Sequence, residues 1–360
     1  MNHKRRFLLI AYRSILLAGI FLSLGWGLVH REVPAAAAPV PTAASQGPIT
    51  VYFSRPLEFY GTLAGGPDED LAAAIDAAQC CVDLAVYDID LMSVAQALLR
   101  AGQRGVTVRV VTDTDNEKNA AVNLLRARGI PIRGDQREAL MHDKFVIIDG
   151  REVWAGSMNL TENCAYRNDN NLVRIQSQPA AAVFAAEFEE MFTGGKFGAS
   201  SPKGAPAAAV NPGTGPAEIL FAPEDEVLQS VLEEISSADV SIHFLAFSFT
   251  SDEIGAALRE RSENGVSVQG VFETMQVKSN KGAEFQTLLD AGLDVRLDAN
   301  PRNMHHKVII LDGDTVITGS YNFTASAESK NDEDLLIFHN PWLAAEFERE
   351  FRRIFSMASS

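Results

Sequence analysis

Short apolar runs alternate with amphipathic segments along most of the chain. In its first part, residues 49–53, 82–88 and 106–113 are rich in β-branched and aromatic side chains, as is typical of buried strands. The segments 68–79 and 93–104 repeat apolar residues every three to four positions, which predicts helices. This alternation predicts an α/β fold in which a mostly parallel sheet is flanked by helices.

The same order of elements recurs in the second part of the chain. Strands are predicted at 217–222, 240–247 and 266–273, and helices at 224–236 and 252–263. Each part also contains a strand–turn–strand unit with Asp-Gly at the turn. We therefore predict two repeated halves that pack face to face as a pseudo-dimer, with a site at the seam between them.

The repeat is clearest around one motif. The segment LMHDKFVIIDGREVWAGSMN at 140–159 aligns without a gap with NMHHKVIILDGDTVITGSYN at 303–322. Self-similarity over a segment this long indicates that a whole folding unit occurs twice. Because both half-sites lie in one chain, we expect a monomer.

The chain begins with a segment that we do not expect to belong to the fold. Basic residues at positions 4–6 precede an apolar run, so residues 1–30 predict a signal peptide or a membrane anchor. Either alternative places the body outside the cytoplasm. Residues 31–48 are predicted to be a flexible tether, followed by half 1 at 49–193. The Gly- and Pro-rich stretch 194–216 is predicted to be a linker, and residues 217–356 are predicted to form half 2.

Composition and charge reduce the range of functions that the sequence can support. The formal net charge is −16, a field that opposes the long-range attraction on which general duplex-DNA binding depends. The three cysteines (Cys80, Cys81 and Cys164) show neither a disulfide framework nor zinc-ligand spacing, so we expect them to be packing residues.

The repeated motif carries the candidate chemistry. Residues two apart in an extended segment face the same side, so a histidine and a lysine point together in each half, and so do a serine and an asparagine. Two such faces would surround a phosphodiester with imidazoles and hydrogen-bond donors. This arrangement requires no metal or cofactor. The candidate catalytic residues are His142, Lys144, His305 and Lys307, and the candidate phosphate-binding residues are Ser157, Asn159, Ser320 and Asn322.

The motif resembles the HKD signature of the phospholipase D superfamily, in its compact, nuclease-like branch. The resemblance covers both halves and implies a covalent phosphohistidine, with the N-terminal histidine, His142, as nucleophile and His305 as acid. The aspartates of the signature, Asp149 and Asp312, precede glycines at strand ends, so we expect them to fix turns rather than to bind substrate.

One position of the repeat is asymmetric. Members of the superfamily commonly carry an acidic residue eleven positions after the motif asparagine, where it orients the histidine. That position is Glu333 in the second half and Asn170 in the first. If each residue served the histidine of its own half, His142 would stay neutral and His305 would more readily be protonated.

The resemblance leaves the substrate open. We expect a phospholipid such as phosphatidylcholine, hydrolysed at a membrane surface to phosphatidic acid and the free headgroup. A metal-independent endonuclease is the alternative, although no basic stripe with interleaved aromatic residues is present in the sequence. A catalytically silent adaptor fits poorly with two intact motifs.

Overall fold

Each half of the chain folds around one eight-stranded sheet, and the two sheets have the same strand order. The computed structural model describes residues 43–56, 63–202 and 208–359. The predicted leader at 1–30 and most of the predicted tether lie outside these residues. Within them, no helix combines the length and the apolar composition needed to cross a membrane.

The first half supplies strands β1 to β8 and helices α1 to α5. Two short helical turns, at Thr114–Asn116 and Gly198–Ser200, and a π-helical turn at Glu190–Gly194 accompany them. The elements in chain order are β1 (Ala43–Gln46), β2 (Ile49–Phe53), α1 (Pro67–Ala77), β3 (Cys81–Val86), α2 (Met92–Gln103), β4 (Thr107–Thr112), α3 (Ala120–Ala127), β5 (Ile132–Gly134), β6 (Lys144–Ile148), β7 (Glu152–Gly156), α4 (Glu162–Tyr166), β8 (Asn171–Ile175) and α5 (Gln178–Glu189).

The second half repeats this order, with one additional α-helix after its fourth strand. Its elements are β9 (Ala208–Val210), β10 (Ala217–Ala222), α6 (Val227–Ser237), β11 (Ser241–Ala246), α7 (Asp252–Glu263), β12 (Ser267–Phe272), α8 (Thr274–Ser279), α9 (Phe285–Asp290), β13 (Asp294–Leu297), β14 (Lys307–Leu311), β15 (Thr315–Gly319), α10 (Ala325–Ser329), β16 (Glu333–His339) and α11 (Pro341–Met357).

The sheets are mixed. The first has the order β1-β2-β8-β7-β6-β3-β4-β5, and the second has the equivalent order β9-β10-β16-β15-β14-β11-β12-β13. Among the described strands, β3-β4-β5 and β11-β12-β13 pair in parallel, and the other pairings are antiparallel. The prediction of two repeated α/β halves is confirmed, whereas the expectation of mostly parallel sheets holds only at one edge of each.

Two edge strands lie inside segments that were predicted to be irregular. β1 belongs to the predicted tether, and β9 belongs to the predicted linker. Each pairs antiparallel with the next strand of its own half. The predicted tether therefore includes one edge strand of the first sheet, and the predicted linker includes one edge strand of the second.

The central layer joins the halves. Apolar residues of α5 and α11 share one buried cluster with strands of both sheets, including Phe184 and Phe188 of α5 and Phe347 and Phe351 of α11. Separate clusters cover the outer faces, under α1, α2 and α3 in the first half and under α6, α7 and α9 in the second. Since the central cluster draws on both halves, their packing brings the starts of β6 and β14 to a common seam.

Candidate active site

Two backbone bridges tie the halves together next to the predicted histidines. Met141 forms a parallel bridge with Asp332, and Asp169 forms one with Met304. The histidine that follows each methionine donates its backbone N–H to the carbonyl oxygen of the bridged aspartate, with an N–O distance of 2.8 Å in both cases. The residue after each aspartate consequently lies beside the histidine of the opposite half.

His142 is held by a carboxylate from the second half. Its Nδ1 lies 2.6 Å from Oε2 of Glu333. The same carboxylate accepts hydrogen bonds from Oγ of Ser320 at 2.7 Å and from Nδ2 of Asn331 at 3.0 Å. With donors on every side, the carboxylate acts as the acceptor, so Nδ1 of His142 carries the proton and Nε2 is left unprotonated.

His305 is held by an amide from the first half. Its Nδ1 lies 2.9 Å from Oδ1 of Asn170 and 3.0 Å from the carbonyl oxygen of Ser157. The amide is oriented by the Ser157 hydroxyl, which donates to the same Oδ1, and by the carbonyl oxygen of Cys164, which accepts from Nδ2. Both acceptors place the proton of a neutral His305 on Nδ1.

The expectation that each orienting residue serves its own half is wrong. Glu333 contacts His142, and Asn170 contacts His305. The exchange follows from the two backbone bridges, which place each orienting residue across the seam. The carboxylate therefore belongs to the N-terminal histidine.

The two motif serines lie behind the site, and this corrects their prediction as phosphate ligands. Ser157 and Ser320 are fully buried, and their hydroxyls donate to Asn170 and Glu333. The glycine before each serine permits this arrangement, because an added Cβ at Gly156 would lie 2.7 Å from a backbone oxygen of β8. The serines act by orienting the groups that hold the histidines.

Both motif lysines are buried at the base of the site. Lys144 and Lys307 are each 2% exposed. Each Nζ donates to the carbonyl oxygen of the histidine two residues earlier, at 2.6 Å and 2.8 Å. An ammonium group has three donors, so each lysine keeps donors for a phosphate oxygen.

Two aromatic residues complete the half-sites. The rings of Tyr87 and His142 lie edge to face at 5.1 Å, and those of Phe247 and His305 at 4.5 Å. The same aromatic rings lie 5.5 Å and 4.6 Å from the nearby lysine ammonium groups. The motif alone does not reveal this pair. Both residues directly follow the equivalent strands β3 and β11, and an alignment of the two halves at these strands could have revealed them.

The histidines open into a cleft of about 780 Å³. Asn159 and Asn322 line it from equivalent positions, and Oδ1 of each is buried without a hydrogen-bond partner among the described residues. Most of the wall comes from the second half. The lining residues are Tyr87, Leu140, His142, Asn159, Phe247, Ser248, Thr250, Gln276, Ser279, Asn280, Lys281, His305, Asn322, Thr324, Ser326 and Asn331.

Burial and the two ammonium groups set the protonation of the site. Burial, together with Lys144 and Lys307, lowers the pKa of both His142 and His305 well below the ordinary histidine value. Burial also raises the pKa of Glu333 to about 7, against the opposing influence of Lys144 and of its hydrogen bonds. Without a bound anion, both imidazoles are therefore favoured in the neutral form. This leaves Nε2 of His142 unprotonated, whereas His305 gains a second proton only when an anionic ligand offsets the two ammonium groups.

The aspartates of the motif lie at the far ends of the strands. Asp149 accepts backbone N–H groups of Gln79, Cys80 and Cys81. Asp312 occupies the equivalent position and accepts those of residues 239–241. Both have positive φ, as a turn before glycine requires, and neither lines the cleft.

Groups that could bind a metal lie elsewhere. Among the described residues, two sets bring three potential ligand atoms together, and neither lines the cleft. These sets are Cys80, Cys81 and Asp149, and Glu218, Glu234 and His339.

Comparison with known proteins gives the fold and the family. The structure of phosphatidylserine synthase from Haemophilus influenzae Rd KW20 superposes with a TM-score of 0.63 at 15% identity, over 88% of each chain, and shows the same two-half fold. The mitochondrial cardiolipin hydrolase of Homo sapiens is 35% identical over 124 residues, which are 34% of this chain and 49% of that protein.

A phospholipase D of Rickettsia prowazekii (strain Madrid E) is 32% identical over 127 residues, which are 35% of this chain and 62% of that protein. The chain thus spans about half to three-fifths of the length of these curated relatives. The family model described as "Cardiolipin synthase, PLD-like domain" matches residues 71–192 and 231–355, one match in each half. The resemblance found in the sequence is confirmed, and the chain belongs to the phospholipase D superfamily, with two copies of its PLD-like domain.

Proposed function

We propose that the protein is a phosphodiesterase that forms a covalent bond between phosphorus and Nε2 of His142. The observation that carries the proposal is the pair of imidazoles, one from each half, that open into one cleft with Nδ1 of each held by an acceptor. Two buried lysines and two cleft-lining asparagines supply donors for the non-bridging phosphate oxygens.

The reaction proceeds in two steps. The reaction starts with His142 neutral and His305 protonated on both ring nitrogens, a form that the negative charge of the bound phosphodiester favours. In the first step, Nε2 of His142 attacks phosphorus, and the bond to the leaving alcohol breaks as Nε2 of His305 gives it a proton. In the second, His305 removes a proton from water, the water oxygen bonds to phosphorus, and the bond to His142 breaks. Each histidine returns to its starting protonation state.

The different Nδ1 partners suit these different roles. The Glu333 carboxylate stabilises positive charge on His142, which therefore becomes a stronger base and nucleophile. The Asn170 amide orients His305 without adding negative charge, which makes the protonated His305 a stronger acid. The sequence suggested His142 as nucleophile because its partner was expected to be neutral. Its partner is instead a carboxylate, and this negative charge supports the same assignment.

We propose a phospholipid as the substrate, and the names of the two curated relatives point the same way. In an in-line reaction the leaving group departs on the side opposite His142, towards the second half. That wall presents hydroxyl and amide groups, among them Ser248, Gln276 and Asn280, and none of the residues that line the cleft is acidic.

The cleft offers little to a quaternary ammonium group, because its aromatic rings at Tyr87 and Phe247 already face lysines. We therefore favour a hydroxyl-bearing headgroup, as in phosphatidylglycerol, over the choline headgroup that the sequence analysis favoured. We also propose that the N-terminal segment delivers the body to a membrane outside the cytoplasm.

The test uses the full chain in mild detergent with EDTA present. Vesicles of phosphatidylglycerol and of phosphatidylcholine are offered in parallel with single- and double-stranded nucleic acid, and His142→Ala serves as the control. We expect phosphatidic acid from phosphatidylglycerol at a higher kcat/KM than from phosphatidylcholine. The His142→Ala variant should lose at least about 10³-fold of this activity.

Each departure from this result has a defined meaning. Faster hydrolysis of phosphatidylcholine would overturn the headgroup preference alone. Cleavage of nucleic acid without lipid hydrolysis would overturn the substrate class and leave the histidine chemistry in place. Substantial activity of His142→Ala on any substrate would overturn the assignment of the nucleophile.

A further inference from the structure

Three coordinating side chains meet on the outer face of the second sheet, away from the cleft. Glu218 of β10 lies opposite Ile337 of β16, so it shares a face of the sheet with His339, two residues further along. Helix α6 packs on that face and contributes Glu234. One carboxylate oxygen of Glu218 lies 3.8 Å from Nε2 of His339, and one of Glu234 lies 3.7 Å from it.

A hydrogen-bond relay fixes which nitrogen of this histidine carries its proton. The hydroxyl of Thr315 donates to Asp314 at 3.0 Å, so its oxygen is the acceptor for Nδ1 of His339 at 3.1 Å. Nδ1 therefore carries the proton, and Nε2 directs its lone pair at the two carboxylates. Two carboxylates facing Nε2 require positive charge there, which either a second proton on the ring or a metal ion between the three groups supplies.

The separations match a coordinated metal better than a hydrogen bond. Distances of 3.7 and 3.8 Å are too long for a direct N–H to carboxylate bond. Zinc bonds of about 2.0–2.1 Å at tetrahedral angles place neighbouring ligand atoms about 3.4 Å apart, so each nitrogen–oxygen distance would have to shorten by a few tenths of an ångström. The two carboxylate oxygens lie within 4.8 Å of each other. His339 remains 34% exposed on its side chain, which gives an ion a route in from solvent.

The first half provides an internal comparison. The positions equivalent to Glu218, Glu234 and His339 are Thr50, Ala74 and Gln176. None of these three side chains is ionisable. The second half therefore has all three coordinating groups at this place on the sheet, and the first half has none of them at the equivalent place. Sheet packing alone therefore does not require them.

We propose that Glu218, Glu234 and His339 bind a divalent transition-metal ion of the zinc type, with water in the fourth position. The ion would join α6 to β10 and β16 and so fasten a helix to the outer face of the second sheet. It would lie outside the catalytic cleft, and the proposal is independent of the phosphodiesterase assignment.

Metal binding by the full-length protein tests the site directly. After treatment with EDTA and its removal, Zn²⁺ is titrated by calorimetry, and Co²⁺ is added to a second sample for visible absorption. We expect one zinc per chain, a four-coordinate Co²⁺ spectrum and a zinc-dependent rise in Tm. His339→Gln and Glu234→Gln should each weaken zinc binding by about 100-fold, and Thr315→Val, which removes the orienting hydroxyl, by about tenfold.

His243→Gln is the matched control, because His243 also contacts a glutamate, Glu348, but has no third potential ligand in the part of the chain that the structure describes. It should bind zinc as the unmodified protein does. Far-UV circular dichroism checks that each variant folds, and Glu218→Gln provides an independent ligand substitution. The proposal fails if no zinc binds, if the ligand variants bind as tightly as the unmodified protein, or if His243→Gln weakens binding equally.

Discussion

The two candidate catalytic histidines, His142 and His305, differ in the groups that Nδ1 contacts. Nδ1 of His142 faces a carboxylate, whereas Nδ1 of His305 faces an amide and a backbone carbonyl. A carboxylate raises the proton affinity of an imidazole, and a neutral acceptor fixes its orientation with little effect on charge. The assignment of His142 as nucleophile and His305 as acid can therefore be tested by exchanging these acceptors.

Replacing Glu333 by glutamine should slow the reaction while leaving the fold intact. The amide oxygen can still accept from Nδ1 of His142, but the negative charge that stabilises the developing imidazolium is lost. We expect kcat to fall by about 10²- to 10⁴-fold with a much smaller change in KM. Steady-state kinetics on the preferred phospholipid, at matched protein concentration, measure both quantities.

The reciprocal change, Asn170→Asp, should alter the pH profile instead. A carboxylate beside His305 favours the protonated ring and so raises the pKa of this histidine. Since His305 must be protonated to act as the acid, the alkaline limb of kcat should move to higher pH. An unchanged profile would contradict the role given to His305.

Sequence alone identified the histidines, lysines and asparagines of this site, but neither the aromatic pair nor all of the contacts. The repeated motif revealed both histidines, because two motifs with identical spacing can be recognised without knowledge of the fold. The partners of His142 and His305 could not be assigned, since their exchange depends on backbone bridges between distant segments. For the same reason, the spacing predicts that the two serines bind phosphate, whereas in the structure they donate to Asn170 and Glu333.

Strand ends show how single side chains stabilise the architecture. The carboxylate of Asp149 accepts three backbone N–H groups at the entry to β3 and also contacts the exposed side chain of Arg151. Burial acts to raise the pKa of Asp149, but the backbone donors outweigh it and the pKa is lowered. The stability that this group contributes is therefore present above about pH 4 and is lost as the pH falls through its folded pKa.

Asp149→Ala should destabilise the protein by about 2 kcal/mol at pH 7, because three N–H groups lose a charged acceptor. Urea unfolding gives the change in free energy, and the difference should shrink at acid pH. Arg151→Ala is the matched control, since its side chain is 66% exposed and an exposed ion pair contributes less than about 1 kcal/mol. Equal losses in the two variants would assign the effect to the ion pair.

The elements were predicted more securely than their pairing. Apolar runs located strands such as β3 and β4, but such a run has the same appearance whether its neighbour is parallel or antiparallel. The edge strands β1 and β9 lie in stretches rich in alanine, and only Ala44 of β1 and Val210 of β9 pack, partly buried, against the central cluster. They form mainly by pairing with the neighbouring strand. Pairing of this kind leaves no periodic pattern in the sequence.

Across the whole molecule, acidic side chains are buried in the interior as well as exposed on the surface. Asp143 lies between the catalytic histidine and lysine in sequence, is 1% exposed, and has neither carboxylate oxygen hydrogen-bonded within the described residues. Burial raises its pKa well above the ordinary value, and the nearby carboxylates of Asp334 and Glu187 add to the rise. Its counterpart in the repeat is His306, which is hydrogen-bonded to Asn171.

This buried acid predicts a pH dependence of stability. A raised pKa means that the folded state retains a proton that the unfolded chain releases above about pH 4, so the stabilisation is complete below that pH and is lost as pH rises towards the folded pKa. Asp143→Asn should therefore stabilise the protein at pH 8, because the amide stays uncharged, with little change at pH 4.

Unfolding free energies measured from pH 4 to pH 8 test this expectation. Asp239→Asn is the control for the loss of one negative charge, because the Asp239 side chain is 87% exposed. It should leave the slope of stability against pH nearly unchanged. A parallel curve for Asp143→Asn and the unmodified protein would exclude Asp143 as the source of the dependence.

The exchange of partners across the seam bears on how such a protein can diverge. A symmetric assembly of two identical first halves would place Asn170 beside both copies of His142, and one of two second halves would place Glu333 beside both copies of His305. Neither could contain one carboxylate-bound histidine and one amide-bound histidine. Joining two non-identical halves in one chain lets a scaffold of twofold pseudo-symmetry give each histidine its own Nδ1 partner, so a substitution in one half changes the environment of the histidine in the other.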